Sequence, residues 1–140
     1  MPNMKRLEHR WRRPDLYRAM RPAEGGRPSL GRTARSLGIR PQTDIPVVEG
    51  MVSPLSGGMS VSLGDPRYLP EHRRPLSLGG TGKDPVYRLK ARQVPKALAV
   101  RSDADLEGHA FLEPAHVMPI ETYEESIASS RRRWRRILDP

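Results

Sequence analysis

The chain has no cysteine. Disulfides, thiolate zinc sites and cysteine nucleophiles are therefore excluded, and the redox compartment is left open. Aromatic residues are scarce: one Phe, four Tyr and two Trp in 140 residues give little material for the stacking platform of a single-strand nucleic-acid binder. No apolar run approaches the length of a membrane span. The basic stretch Met1 to Arg13 is followed by no apolar segment and is not a secretory signal, so export would need a route without a cleaved signal. The GxGxxG, Walker, HExxH and GxSxG motifs are all missing. His9, His72, His109 and His116 have no metal-ligand spacing, and no metal site is expected.

Turns, by contrast, are plentiful. Fifteen prolines and twelve glycines, with an apolar fraction of only 36%, predict one domain of short strands and long connections rather than a helical bundle. The net charge of +9 suggests nucleic acid until it is divided along the chain. Residues 1–40 hold eleven basic against three acidic residues, residues 131–140 five against one, and residues 41–130 nine against twelve. The positive charge thus sits at the two ends. Arg outnumbers Lys twenty-one to four, a bias that suits bidentate phosphate contacts and a G- and C-rich genome equally.

Residues 1–14 read as a basic arm and residues 15–140 as the folded domain. Asp15 to Met20 alternates as a strand, with Leu16, Arg18 and Met20 on one face. Ser29 is a credible N-cap for a short helix carrying Leu30, Ala34 and Leu37, closed by Gly38. Residues 63–85 are irregular, and Gly79-Gly80-Thr81-Gly82-Lys83 reads as a flexible turn without Walker spacing. Further strands are expected at Pro85–Lys90, Ala97–Val100 and His109–Glu113. A C-terminal helix is expected from Pro119, with Ile120, Tyr123, Ile127, Trp134 and Leu138 as its apolar stripe and five arginines between Arg131 and Arg136 in its last turns.

Three places carry the candidate chemistry. Gly57-Gly58-Met59-Ser60-Val61-Ser62 combines two glycines with hydroxyls that alternation puts on one strand face. Its ordinary reading is a loop and an edge strand; its functional reading is a strand that faces a ligand. Arg18 places a charge on an apolar strand face, a costly position unless the charge is paired or binds something. His109, Phe111 and Glu113 share one face of the strand that Pro114 ends.

In order and spacing the chain resembles the small NAD-dependent, ADP-ribosyltransferase-like toxins injected by bacterial type VI secretion. The resemblance runs through Leu16-Tyr17-Arg18-Ala19, Asp44-Ile45, Gly50, Pro54 and Gly57-Gly58-Met59-Ser60-Val61. It continues through Val94 to Val100, Asp103, His109, Pro114-Ala115, Met118 and the basic end with Trp134. It implies a small split sheet in an α+β domain, with NAD as substrate and a cognate immunity protein as partner. It also implies delivery from the producer's cytoplasm into that of a target cell. Arg18 would contact the NAD phosphates or adjoining ribose. Gly58, Ser60 and Ser62 would support the nicotinamide-ribose pocket, and His109 and Glu113 would supply the late catalytic group. The sequence departs from the wider pattern in lacking a Gln/Glu-x-Glu motif. The alternative expectation is a small basic RNA- or ribosome-binding protein using both Arg-rich ends.

Overall fold

The computed structural model describes residues 14–140. Apart from Pro14, the arm assigned to residues 1–14 lies outside the described residues. The alternating segments pair into a six-stranded sheet of order β5-β6-β3-β1-β4-β8, every ladder antiparallel. Its strands are β1 (Leu16–Ala19), β3 (Met59–Leu63), β4 (Val86–Leu89), β5 (Leu98–Ser102), β6 (His109–Pro114) and β8 (Arg135–Leu138). A two-stranded ribbon joins β2 (Met51–Val52) to β7 (Met118–Pro119), and α1 (Ile120–Ser129), the one α-helix among the described residues, follows β7 directly. Over the described residues the fold is α+β, with an antiparallel sheet and one helix near the C-terminal end.

Period-two alternation decides which side of the sheet is core. Leu16, Met20, Val61, Tyr87, Leu89, Ala110 and Leu112 share one apolar cluster with Ile120, Tyr123 and Ile127 of α1. Tyr123 fastens the helix to the sheet: its hydroxyl donates to Leu112 O at 2.6 Å and accepts from Met59 N at 3.2 Å. The opposite face holds a smaller cluster, Ala19, Leu69 and Val86, joined by Tyr17, Ile137 and Leu138.

Two expected helical features fold otherwise. Residues 29–38 form no helix. Leu30 and Leu37 make a parallel bridge, and Leu37 N donates to Ser29 O. The carbonyls of Ala34 and Ser36 accept from the Arg18 guanidinium, which holds this segment as a loop against β1. The C-terminal helix stops at Ser129. Ser130 turns the chain, its buried Oγ accepting from the Trp134 indole at 2.9 Å, and Arg131–Arg133 form a 3-10 turn. Trp134 is buried beside the helix rather than on it, and Arg135 and Arg136 lie on β8, which pairs with β4.

The two glycines before β3 are demanded by close approach. A Cβ on Gly57 would stand 2.3 Å from Asp44 O, and one on Gly58 2.8 Å from Leu112 O. Both residues have φ near +150°, which side chains rarely adopt. They let the chain run against β6 before the strand begins.

Candidate functional site

The sheet opens between β1 and β3. Their ladder ends at Tyr17 and Ser62, although β1 continues to pair with β4 through Ala19. Arg18 fills the opening. Its Nη1 donates to Ser60 O at 2.7 Å, its Nε to Ser36 O at 3.0 Å, and its Nη2 to Ser36 O and Ala34 O. The side chain that alternation put on an apolar face is therefore a brace between β3 and the 34–36 loop, buried to 7% exposure. Burial pulls its pKa down to about 10, against the opposing pull of Asp44, and it stays charged at neutral pH.

Beside this opening lies a cavity of about 490 Å³. Arg18, Ser60, Ser62 and His109 all line it. Ser60 is exposed, while Ser62 is buried to 2% between its register partners Tyr17 and His109. Asp44 and Arg40 form another wall, tied by Arg40 Nη2 to Asp44 Oδ1 at 2.8 Å. The segment from Tyr68 to Arg74 lines the cavity as well, so part of the irregular 63–85 stretch contributes to its wall.

His109 is the best-fixed acid–base group on this wall. Its Nδ1 meets Asp103 Oδ2 at 2.8 Å, and Asp103 N donates to His109 O at 2.9 Å. The two contacts clamp the ends of the acidic turn. With Nδ1 directed to a carboxylate, the proton of the neutral ring belongs there and Nε2 keeps its lone pair. The backbone N–H of Asp105, and then His109, hold the Asp103 carboxyl below its usual range. The His109 ring meets Phe111 edge-on at 4.8 Å, and the Arg101 guanidinium lies 4.7 Å over Phe111.

The remaining candidates lie apart from the cavity. Glu113 shares the His109 face but sits at the far end of β6. There it is buried to 2%, accepting from Arg101 Nε at 2.5 Å and from Leu55 N at 3.0 Å. Gly58 lies at that same end, against Leu112 and Glu113. Among the described residues the one carboxylate on the cavity wall is Asp44, already paired with Arg40.

Sequence reasoning gave no role to Asp103, Asp44, Arg40, His72, Arg73 or Arg74. Arg73-Arg74 carried a signal: it is the single adjacent basic pair in the acidic middle, residues 41–130. The Asp103–His109 contact, across an acidic turn, had no helical or strand period to expose it. Among the described residues no helix is long and apolar enough to cross a membrane, and no group of three or more His, Asp or Glu is placed to hold a metal. No protein-family model, curated protein or solved structure matches the chain.

Proposed function

We propose that the chain is an NAD-dependent ADP-ribosyltransferase-like toxin, its sheet a small split sheet of that architecture and its cavity the site of the reaction. One observation carries the reading. Ser60, Ser62 and a histidine fixed by a carboxylate line one basic cavity at the point where β1 and β3 part. The resemblance in residue order leads to the same three positions.

Transfer requires that the nicotinamide–ribose bond break, its electron pair leaving with the nicotinamide nitrogen, while an acceptor oxygen or nitrogen bonds to the ribose carbon. The acceptor's proton must go to a base. His109 Nε2 is that base, with Asp103 holding the ring and stabilising the imidazolium that forms. Ser60, exposed on β3, orients the ribose by hydrogen bonding, and Ser62 packs behind it against His109. Arg18 acts indirectly: it fixes Ser60 through the Ser60 carbonyl. Glu113 serves the far end of the sheet and takes no part in the reaction. A producing cell then needs an immunity protein, and an acidic one would suit the exposed arginines Arg132, Arg133, Arg135 and Arg136.

Purified protein incubated with labelled NAD and a bacterial lysate tests the reading. Label transferred to lysate material, or labelled ADP-ribose released, is expected from the native chain, and neither from folded Ser60→Ala or His109→Ala. Unchanged NAD in the native reaction, or full activity in both variants, would overturn it. Salt-sensitive RNA binding without NAD consumption would favour the binding-protein alternative.

A further inference from the structure

Five arginines stand in or beside the cavity, and they differ in what holds them. Arg18 donates to three backbone carbonyls. Arg40 makes a bidentate pair with Asp44. Arg35 makes a bidentate pair with the buried Asp84 at 2.6 and 2.7 Å. Arg73 reaches the same Asp84 only at 3.9 Å, and its guanidinium makes no hydrogen bond to the described residues. Arg74 donates from Nη1 to Leu69 O at 3.2 Å, while its buried Nε has no partner. Four of these guanidinium groups, those of Arg18, Arg40, Arg73 and Arg74, line the cavity with Asp44 as its one carboxylate among the described residues, so the field there is positive. Burial, with repulsion from Arg35 and Arg40, lowers the Arg73 pKa.

These two arginines are rigidly mounted. Arg73 N and Arg74 N both donate to Pro70 O, at 2.8 and 2.9 Å. Behind them runs the glycine-rich segment that the sequence marks as a flexible turn. A Cβ on Gly80 would stand 2.3 Å from Arg74 O, and one on Gly82 2.7 Å from Arg73 C. Gly82 N donates to Arg74 O at 2.7 Å and Thr81 N to Glu71 O at 2.9 Å. None of residues 79–83 lines the cavity. The glycines pack directly against the Arg73-Arg74 backbone and fix it in place.

We propose that Arg73 and Arg74 form a phosphate subsite, taking the diphosphate of a dinucleotide held in the cavity. The proposal rests on the NAD reading for the identity of the ligand, and it moves the phosphate contact from Arg18 to the 68–74 segment. Guanidinium groups with free donors on a fixed backbone suit bidentate binding of phosphate oxygens. His72, between them and Glu71 in the chain, lines the same wall and can add a donor.

Calorimetric titration of the full chain with ADP and with inorganic pyrophosphate tests this without any reaction. Saturable binding of both is expected. Arg73→Gln should weaken each by about tenfold or more, since it removes charge-assisted hydrogen bonds. Because Arg73 makes no hydrogen bond within the fold, this variant should unfold at the native temperature; Gly82→Ala, which shifts the mount, is the independent second variant and should also weaken binding. Arg67→Gln, outside the cavity and paired with Asp65, should bind as the native chain does. No binding of ADP or pyrophosphate, equal binding by Arg73→Gln, or loss of single-stranded RNA binding alone would overturn the subsite. The two readings fail separately. Pyrophosphate binding lost in Arg73→Gln but no NAD cleavage by the native chain condemns the reaction and keeps the subsite. Cleavage unaffected by Arg73→Gln condemns the subsite and keeps the reaction.

Discussion

The two ends of β6 present an acid–base residue on the same face of the same strand, and only one end is open. At the near end His109, which lines the cavity, and its partner Asp103 each keep 20% of their side-chain surface exposed. At the far end the Glu113 carboxylate is 3% exposed and both its oxygens are engaged, by Arg101 and by Leu55 N. Gly58 brings the chain against Leu112 there, and Tyr123 ties Met59 to Leu112. Alternation along a strand assigns a face, whereas what covers that face decides whether a group does chemistry or holds the fold.

That contrast can be broken most forcefully at Glu113. Glu113→Ala leaves Arg101 without its carboxylate and Leu55 N without an acceptor. A loss of about 3 kcal/mol in unfolding free energy is expected by urea denaturation. A loss below about 1 kcal/mol would mean that the far end is not a structural clamp. Tyr123→Phe comes next, since it strands Met59 N and Leu112 O in the core, and about 1–3 kcal/mol should be lost in the same measurement.

At the open end the order reverses, with little stability at stake. His109→Ala should change unfolding free energy by no more than about 1 kcal/mol. If His109 is the base, the same variant should slow NAD turnover by about a hundredfold or more. An equal fall in stability would place His109 among the clamps. The smallest effect belongs to Asp103. Its folded pKa lies below the usual 3.8, so its contribution is complete above that value and is lost as pH falls through the lower folded one. Asp103→Asn should therefore differ slightly in stability from the native chain at neutral pH and converge with it in strong acid, as followed by thermal melting across pH.

Much of the sheet was legible because its strands alternate. Leu16-Tyr17-Arg18-Ala19, Met59 to Leu63, Val86 to Leu89 and His109 to Pro114 fold where period two puts them. The sequence could not reveal competition for hydrogen-bonding groups. Leu30, Ala34 and Leu37 have helical spacing, but residues 29–38 fold as a loop whose Ala34 and Ser36 carbonyls accept from Arg18, distant in sequence. Likewise Trp134 and Leu138 continue the periodicity of α1, yet the free edge of β4 draws residues 135–138 into an eighth strand. On the cavity wall, Ser60, Ser62 and His109 are the residues that alternation and the resemblance single out. The part of the wall from Tyr68 to Arg74 was not legible, because irregular backbone has no period to read.

The central position of β1 also governs when the site can exist. This first strand pairs Leu16 with Leu63 on one side and Leu89 on the other, and the wall bearing His109 joins later still. Contacts so distant in sequence form slowly. Until residues 109–114 and 135–138 are in place, the sheet has its Arg18 and Ser60 but no His109 wall and no β8 at its edge. The cavity therefore takes shape only when strands far apart in the chain have met, and no segment between β1 and β3 can form it alone.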